Sequence, residues 1–210
     1  RRLFEQQRHA TAWQEKLVPV QQEMENALAE RIGAPYAART VTFHLPDFID
    51  LVTNHGDDRD PAGATIGQSL PNWGPVANDG RGRTVVMTNL YTDPDSLRML
   101  RNRVRSLFEE ASAAAYSDDQ ESNLVCTILH EATHNLGPSH EYEVGDKTDD
   151  KIFGGPLASV MEELKSQTGA LWFVKFLMDK GIVTPEFARQ SYIGSLAWCM
   201  GHISRGMYTD

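Results

Sequence analysis

A chain of 210 residues with 40% hydrophobic content has material for one large core, or for a domain with an appendage, and needs no staples to fold. Its net charge of −9 and lack of a basic cluster argue against a nucleic-acid partner, whose phosphates demand Lys and Arg. No apolar run approaches the roughly 20 residues of a membrane helix, no stretch reads as a signal segment, and two cysteines, Cys126 and Cys199, are too few for a disulfide framework, which leaves the compartment open.

In residues 1 to 32, Leu3, Phe4, Trp13, Leu17, Val20, Met24, Leu28 and Ile32 recur at helical spacing, which predicts one or two packing helices. Residues 41 to 52 are apolar but broken by Pro46, and predict a short strand followed by a short helix. From His55 to Arg83, Gly, Pro, Asp and Asn dominate, the composition of a loop. Thr84 to Tyr91 is the best strand candidate. Asp93-Pro94 supplies an N-cap and a proline at N1 for a helix whose Leu97, Leu100, Val104, Leu107, Phe108 and Ala111 share one stripe. Arg98, Arg101, Arg103 and Arg105 fall mostly on its wet side.

A polar turn at 117 to 122 leads into a helix with Leu124, Val125, Ile128, Leu129, Ala132 and Leu136 on its buried side, stopped by Gly137-Pro138. Residues 139 to 156 have no periodicity and predict a loop. A helix from about Leu157 to Lys180, closed by Gly181, and a last one entered at Thr184-Pro185 complete the chain. The expected fold is mainly α, with a short strand or small sheet beside the 124–136 helix. The expected organisation is an N-terminal helical and loop region over 1–80 and a second domain over 81–210 that carries the metal-binding, catalytic motif described next, with one continuous domain as the alternative.

The chemistry concentrates in Leu129-His130-Glu131-Ala132-Thr133-His134. On a helix, residues four apart share a face, so this HExxH run aims the imidazoles of His130 and His134 at one point, where they can share a zinc ion. Glu131 is offset around the helix and reaches a water on such an ion rather than the ion itself, as a general base requires. Cys126 stands one turn earlier on the same stripe, but an ion held between 130 and 134 is out of its reach, so it reads as a buried structural thiol.

The third ligand has two candidates. His130-Glu131-x-x-His134-x-x-Gly137-x-x-His140 fits the metzincin pattern, with His140 as ligand, although Pro138 directly follows the glycine and no methionine lies in an evident turn. The gluzincin alternative takes a carboxylate from Glu162-Glu163, an acidic pair that interrupts an apolar helix; one of the two would ligate and its neighbour steady a histidine. An exposed acidic face near a helix start is the bland reading of that pair.

Leu70-Pro71-Asn72, the strand around Val85 to Asn89, His130-Glu131-x-x-His134 with Leu136-Gly137-Pro138, then Glu162-Glu163-x-Lys165 with Gly169-x-Leu171-Trp172 occur in that order. This resembles the catalytic lobe of the dipeptidyl peptidase III family of zinc metallopeptidases, in its bacterial and plant members with the shorter HExxH spacing, over about two-thirds of the chain from Leu70 to Gly206. The resemblance implies a zincin-like helical lobe and peptide hydrolysis. It makes His130, His134 and Glu163 the zinc ligands, Glu131 the catalytic base and acid, and Glu162 a support for a ligand. It implies a peptide or protein substrate gripped against a second lobe of the same polypeptide, which this chain is too short to contain.

The chain departs from the family's better-studied members, which carry an extra residue inside HExxxH. Lys165-Ser166-Gln167 stands where relatives read Lys-x-Asp. The family's transition-state histidine falls just past Asp210, leaving His202 as the nearest catalytic candidate; Tyr142 and Tyr192 are further candidates for oxyanion support. Two other readings stand beside this one: a metzincin-like endopeptidase using His140, and a zinc-stabilised binding module without activity.

Overall fold

The structure, a computed structural model, describes residues 12–42, 47–49, 67–70, 83–87, 92–139 and 142–203, the side chains of 67–70, 83, 84 and 202 excepted. Residues 12–17 are helical, a 3-10 turn spans Val18–Val20 at Pro19, and α1 follows at Gln21–Ile32. Three short strands come next, β1 (Asp47–Ile49), β2 (Gly67–Leu70) and β3 (Arg83–Met87). Then come α2 (Pro94–Leu107), α3 (Glu110–Ala114), α4 (Glu121–His134), a π-helical turn at Asp150–Gly154, α5 (Pro156–Asp179) and α6 (Pro185–Ile203). The fold is mainly α, with a small sheet packed against the HExxH helix.

Local chemistry accounts for most boundaries. Asp93 caps α2 by accepting the amides of Asp95 and Ser96 at 3.0 Å each, an arrangement worth about 1 kcal/mol. Helix α2 stops at Phe108 rather than running on to Ala111, and α3 restarts two residues later. Helix α5 opens on Gly155-Pro156, and Gly181 takes a left-handed φ of 71° just after it ends.

The sheet orders its strands β1-β3-β2, with β1 parallel and β2 antiparallel to β3. Strand β2 falls inside the stretch whose composition predicts loop. Its Gly-Gln-Ser-Leu sequence has no apolar alternation, so the pairing with β3, from Gly67 opposite Val86 to Leu70 opposite Arg83, makes it a strand where propensity does not. The short helix expected after Pro46 is not found at 47–49, which pair with β3 as strand β1 instead; the rest of that stretch after 42, and residues 88–91 of the predicted 84–91 strand, lie outside the described residues.

One hydrophobic core draws Trp13, Leu17, Met24 and Val41 together with Val125, Ile128 and Leu129 of α4, Phe173 and Leu177 of α5, and Ala188 of α6. Helix α4 is buried nearly all round: Glu131 and Thr133 are buried as well as its aliphatic residues. A further tie holds the N-terminal residues to α4, because Trp13 Nε1 donates to Glu121 Oε1 at 2.9 Å. Cys126 is buried with its thiol facing the Ser191 carbonyl and Ser195 Oγ, and burial pushes that thiol up.

Helices α4 and α5 meet most closely at Gly169. A Cβ there would stand 2.6 Å from Thr133 Cγ2, so only glycine permits this approach. The approach matters because α4 carries two of the candidate ligands and α5 the third.

Candidate metal centre

The last turn of α4 aims His130 and His134 toward the first third of α5. His130 Nε2 lies 3.2 Å from His134 Nε2 and 3.2 Å from Glu163 Oε2, and His134 Nε2 lies 3.8 Å from Glu163 Oε1. These three side chains form the group of His, Cys, Asp or Glu donors able to hold an ion among the described residues, with ligand atoms all within 4.8 Å of one another. Donors about 2.0 to 2.1 Å from one tetrahedral ion sit roughly 3.3 Å apart. The three residues therefore fit a zinc ion without rearrangement of the helices.

The outer faces of both rings are engaged. His130 Nδ1 donates to Gln167 Oε1 at 3.1 Å, and His134 Nδ1 donates to Glu162 Oε1 at 2.9 Å with Ser166 Oγ at 3.0 Å. A proton fixed on each Nδ1 turns each Nε2 toward the shared centre, the orientation that outer hydrogen bonds impose on ligand histidines. Glu162 is itself held by Lys165, whose Nζ donates to it at 2.9 Å and to the Pro138 carbonyl at 3.0 Å.

Exposure separates the two glutamates. The Glu162 side chain is 10% exposed and faces inward, whereas Glu163 is 57% exposed and forms the open rim of the site. Burial works against the Glu162 charge, but the His134 hydrogen bond and the Lys165 ammonium hold its carboxyl below the usual range. The hydrogen bond with His130 holds Glu163 low. Burial by itself would depress His130, yet the Glu163 hydrogen bond and the charges of Glu131 and Glu163 outweigh it and raise the ring. A positive charge is thus favoured between His130 and Glu163, the place where the fitted ion would sit.

Glu131 is buried, and its Oε2 has no hydrogen-bond partner among the described residues. Burial pushes its carboxyl up, against the pull of His130 and His134. An orphaned buried carboxylate oxygen costs about 1 to 3 kcal/mol or more. Placing one next to two imidazoles makes sense where a water or substrate proton completes the set.

Of the remaining sequence candidates, Tyr192 directs its hydroxyl to the Leu171 carbonyl at 3.3 Å, and Tyr142 packs edge-on against Tyr36 with ring centroids 5.2 Å apart. His202 falls on the last turn of α6 and its side chain is outside the described ones; His140, the alternative ligand, lies outside the described residues altogether. Arg98 pairs with Asp95 and Arg101 with Asp118 on the exposed side of α2, as a solvated face would. Sequence reasoning missed the parts played by Ser166, Gln167 and Lys165. The signal was present in their spacing: 162, 163, 166 and 167 share one face of a helix whose first two members are acidic.

Fold and donor set define a mainly helical lobe carrying a His-His-Glu group that could hold a metal ion. The fold is similar to that of dipeptidyl peptidase III: the solved structure of dipeptidyl peptidase III from Caldithrix abyssi matches with a TM-score of 0.68 at 21% identity, over 93% of this chain and 36% of that one. In sequence, the chain is 28% identical over 160 residues to Nudix hydrolase 3 of Arabidopsis thaliana, covering 76% of this chain but 20% of that protein. The chain thus spans about a fifth of that relative's length, so the relative's name need not describe the matched part. No family model matches the chain.

Proposed function

We propose that the chain is the metal-bearing lobe of a gluzincin-type zinc peptidase of the dipeptidyl peptidase III kind, hydrolysing peptide bonds. One observation carries the reading: His130, His134 and Glu163 offer ligand atoms within 4.8 Å of one another, beside the partnerless buried Oε2 of Glu131. The fold shared with dipeptidyl peptidase III supports it. The ligands are His130, His134 and Glu163. A zinc ion there supplies Lewis acidity toward a carbonyl and brings the pKa of a water to near neutrality.

The chain's own residues do the rest. Gln167 and Glu162 keep the ring protons on Nδ1 and so keep both imidazoles oriented. Glu131, its carboxyl raised by burial, takes a proton from water at Oε2 and returns it to the leaving amine. Glu163, on the exposed rim, leaves one side of the site open to an extended peptide. His202 is the remaining candidate for support of the developing oxyanion.

Zinc content and peptide hydrolysis test this together. Glu131→Gln keeps one zinc per chain and loses cleavage of a mixture of short synthetic peptides. Glu163→Gln loses zinc, while His140→Ala keeps it; the reverse pattern establishes the metzincin-like alternative. Because the chain covers 36% of its structural neighbour, a second reading is a zinc-stabilised module that acts only alongside a further lobe of its polypeptide. A wild type that binds zinc but leaves every peptide intact favours that reading.

A further inference from the structure

Glu25 of α1 is fully buried, a place where a carboxylate is expensive unless every oxygen is satisfied. Three donors converge on it: Tyr36 Oη at 2.5 Å and the Arg39 amide at 3.3 Å on Oε1, and the Gly137 amide at 2.8 Å on Oε2. Gly137 is the residue at which the chain leaves the metal helix, three positions after His134. It turns there with a left-handed φ of 69°, and a Cβ at this position would stand 3.0 Å from Leu28 Cδ2, one turn along α1 from Glu25. Arg39 adds a second hold on the same exit, its Nη2 donating to the Asn135 carbonyl at 2.8 Å. On the far side, Lys165 joins the Pro138 carbonyl to Glu162, and Glu162 accepts from His134.

A hydrogen-bonded path therefore runs from Glu25 through the 137–138 turn and Lys165 to the back of His134. An apolar side chain at 25 would leave these donors, the buried Gly137 amide among them, without an acceptor. What the carboxylate adds is direction: it fixes one backbone amide in one place. We infer that Glu25 is a positioning residue for the metal centre, acting through Gly137 and the end of α4, so that the N-terminal helix is a working part of the site rather than an appendage. This rests on the zinc reading above.

The test compares wild type, Glu25→Gln and Glu25→Asp by zinc affinity against a competing chelator and by hydrogen exchange of the metal-free protein. Gln offers one acceptor oxygen instead of two, so Glu25→Gln is expected to weaken zinc binding about 10- to 100-fold. The amides of residues 134 to 137 should exchange roughly tenfold faster, while those of Ala188 to Ala197 keep their rate. Glu25→Asp restores part of both. If Glu25→Gln does not fold, Arg39→Ala serves, since it removes an exposed side chain that reaches Asn135, and a loss of about threefold in zinc affinity is expected. Unchanged zinc affinity in a folded Glu25→Gln protein overturns the inference, whether or not its melting temperature falls, and leaves the function standing. A wild type that binds no zinc defeats the functional reading instead, and the exchange rates at 134 to 137 alone then decide whether Glu25 holds the helix end.

Discussion

Gly169 provides the sharpest test of how the two helices that carry the candidate ligands are set. A methyl group on residue 169 would lie 2.6 Å from Thr133 Cγ2, whereas carbon atoms rest about 3.5 to 4.0 Å apart, so the overlap is about 1 Å. Thr133 cannot turn its methyl away: the side chain is fully buried and its hydroxyl donates to the Leu129 carbonyl at 2.6 Å. In Gly169→Ala, α4 and α5 must therefore separate by about 1 Å, several times the roughly 0.2 Å tolerance of a zinc site. Without metal the helices spread and relieve the strain; with metal they must close again. The overpacking cost of about 1 to 3 kcal/mol then falls on metal binding, a loss of about 5- to 150-fold in affinity. Alanine's better helix propensity, about 1 kcal/mol over glycine, offsets the strain in the metal-free protein, so its melting temperature should change little. Chelator competition reads the affinity, and Thr133→Ser, which deletes the offending methyl and keeps the hydroxyl, should restore it in the double variant. Wild-type zinc affinity in Gly169→Ala, or a loss that Thr133→Ser does not repair, refutes the account.

Gln167→Ala removes the acceptor behind His130 and is expected to weaken zinc binding about 10- to 100-fold, with Gln167→Glu close to wild type in the same chelator assay. Phe173→Ala empties a fully buried site flanked by the rings of Trp172 and Phe176, and should lower unfolding stability in urea by about 3 to 5 kcal/mol. Tyr36 is pushed up to about 12, first by burial and then by Glu25. An unfolded tyrosine ionises near pH 10, so the folded state holds its proton longer. The stabilisation is complete below about pH 10 and is lost as pH rises toward 12, by about 2 kcal/mol. Unfolding free energies from urea titrations across that range should fall in the wild type by that amount more than in Tyr36→Phe.

What the sequence made legible follows how local each determinant is. Two imidazoles four residues apart on one helix are placed by helix geometry alone, and His130 and His134 stand 3.2 Å apart at Nε2 as that geometry requires. Caps such as Asp93 and stops such as Gly137 and Gly181 are equally local. The third candidate ligand, Glu163, is not, because its position depends on how α5 crosses α4, and the crossing depends on the absence of a Cβ at Gly169 and the presence of a methyl at Thr133. Neither residue's chemistry points to a metal. Strand β2 was hidden for the same reason: its residues carry no strand pattern, and a ladder to β3 decides their state. Glu25 was the least visible, one carboxylate among several in a stretch that reads as an ordinary amphipathic helix. Its role appears only once the chain, 112 residues further on, delivers the Gly137 amide to it. Determinants that join distant segments carry no periodicity, and here they join the N-terminal helix, the metal helix and α5 at the turn that follows His134. That turn is where substitutions remote from the donors should have their largest effect on metal binding.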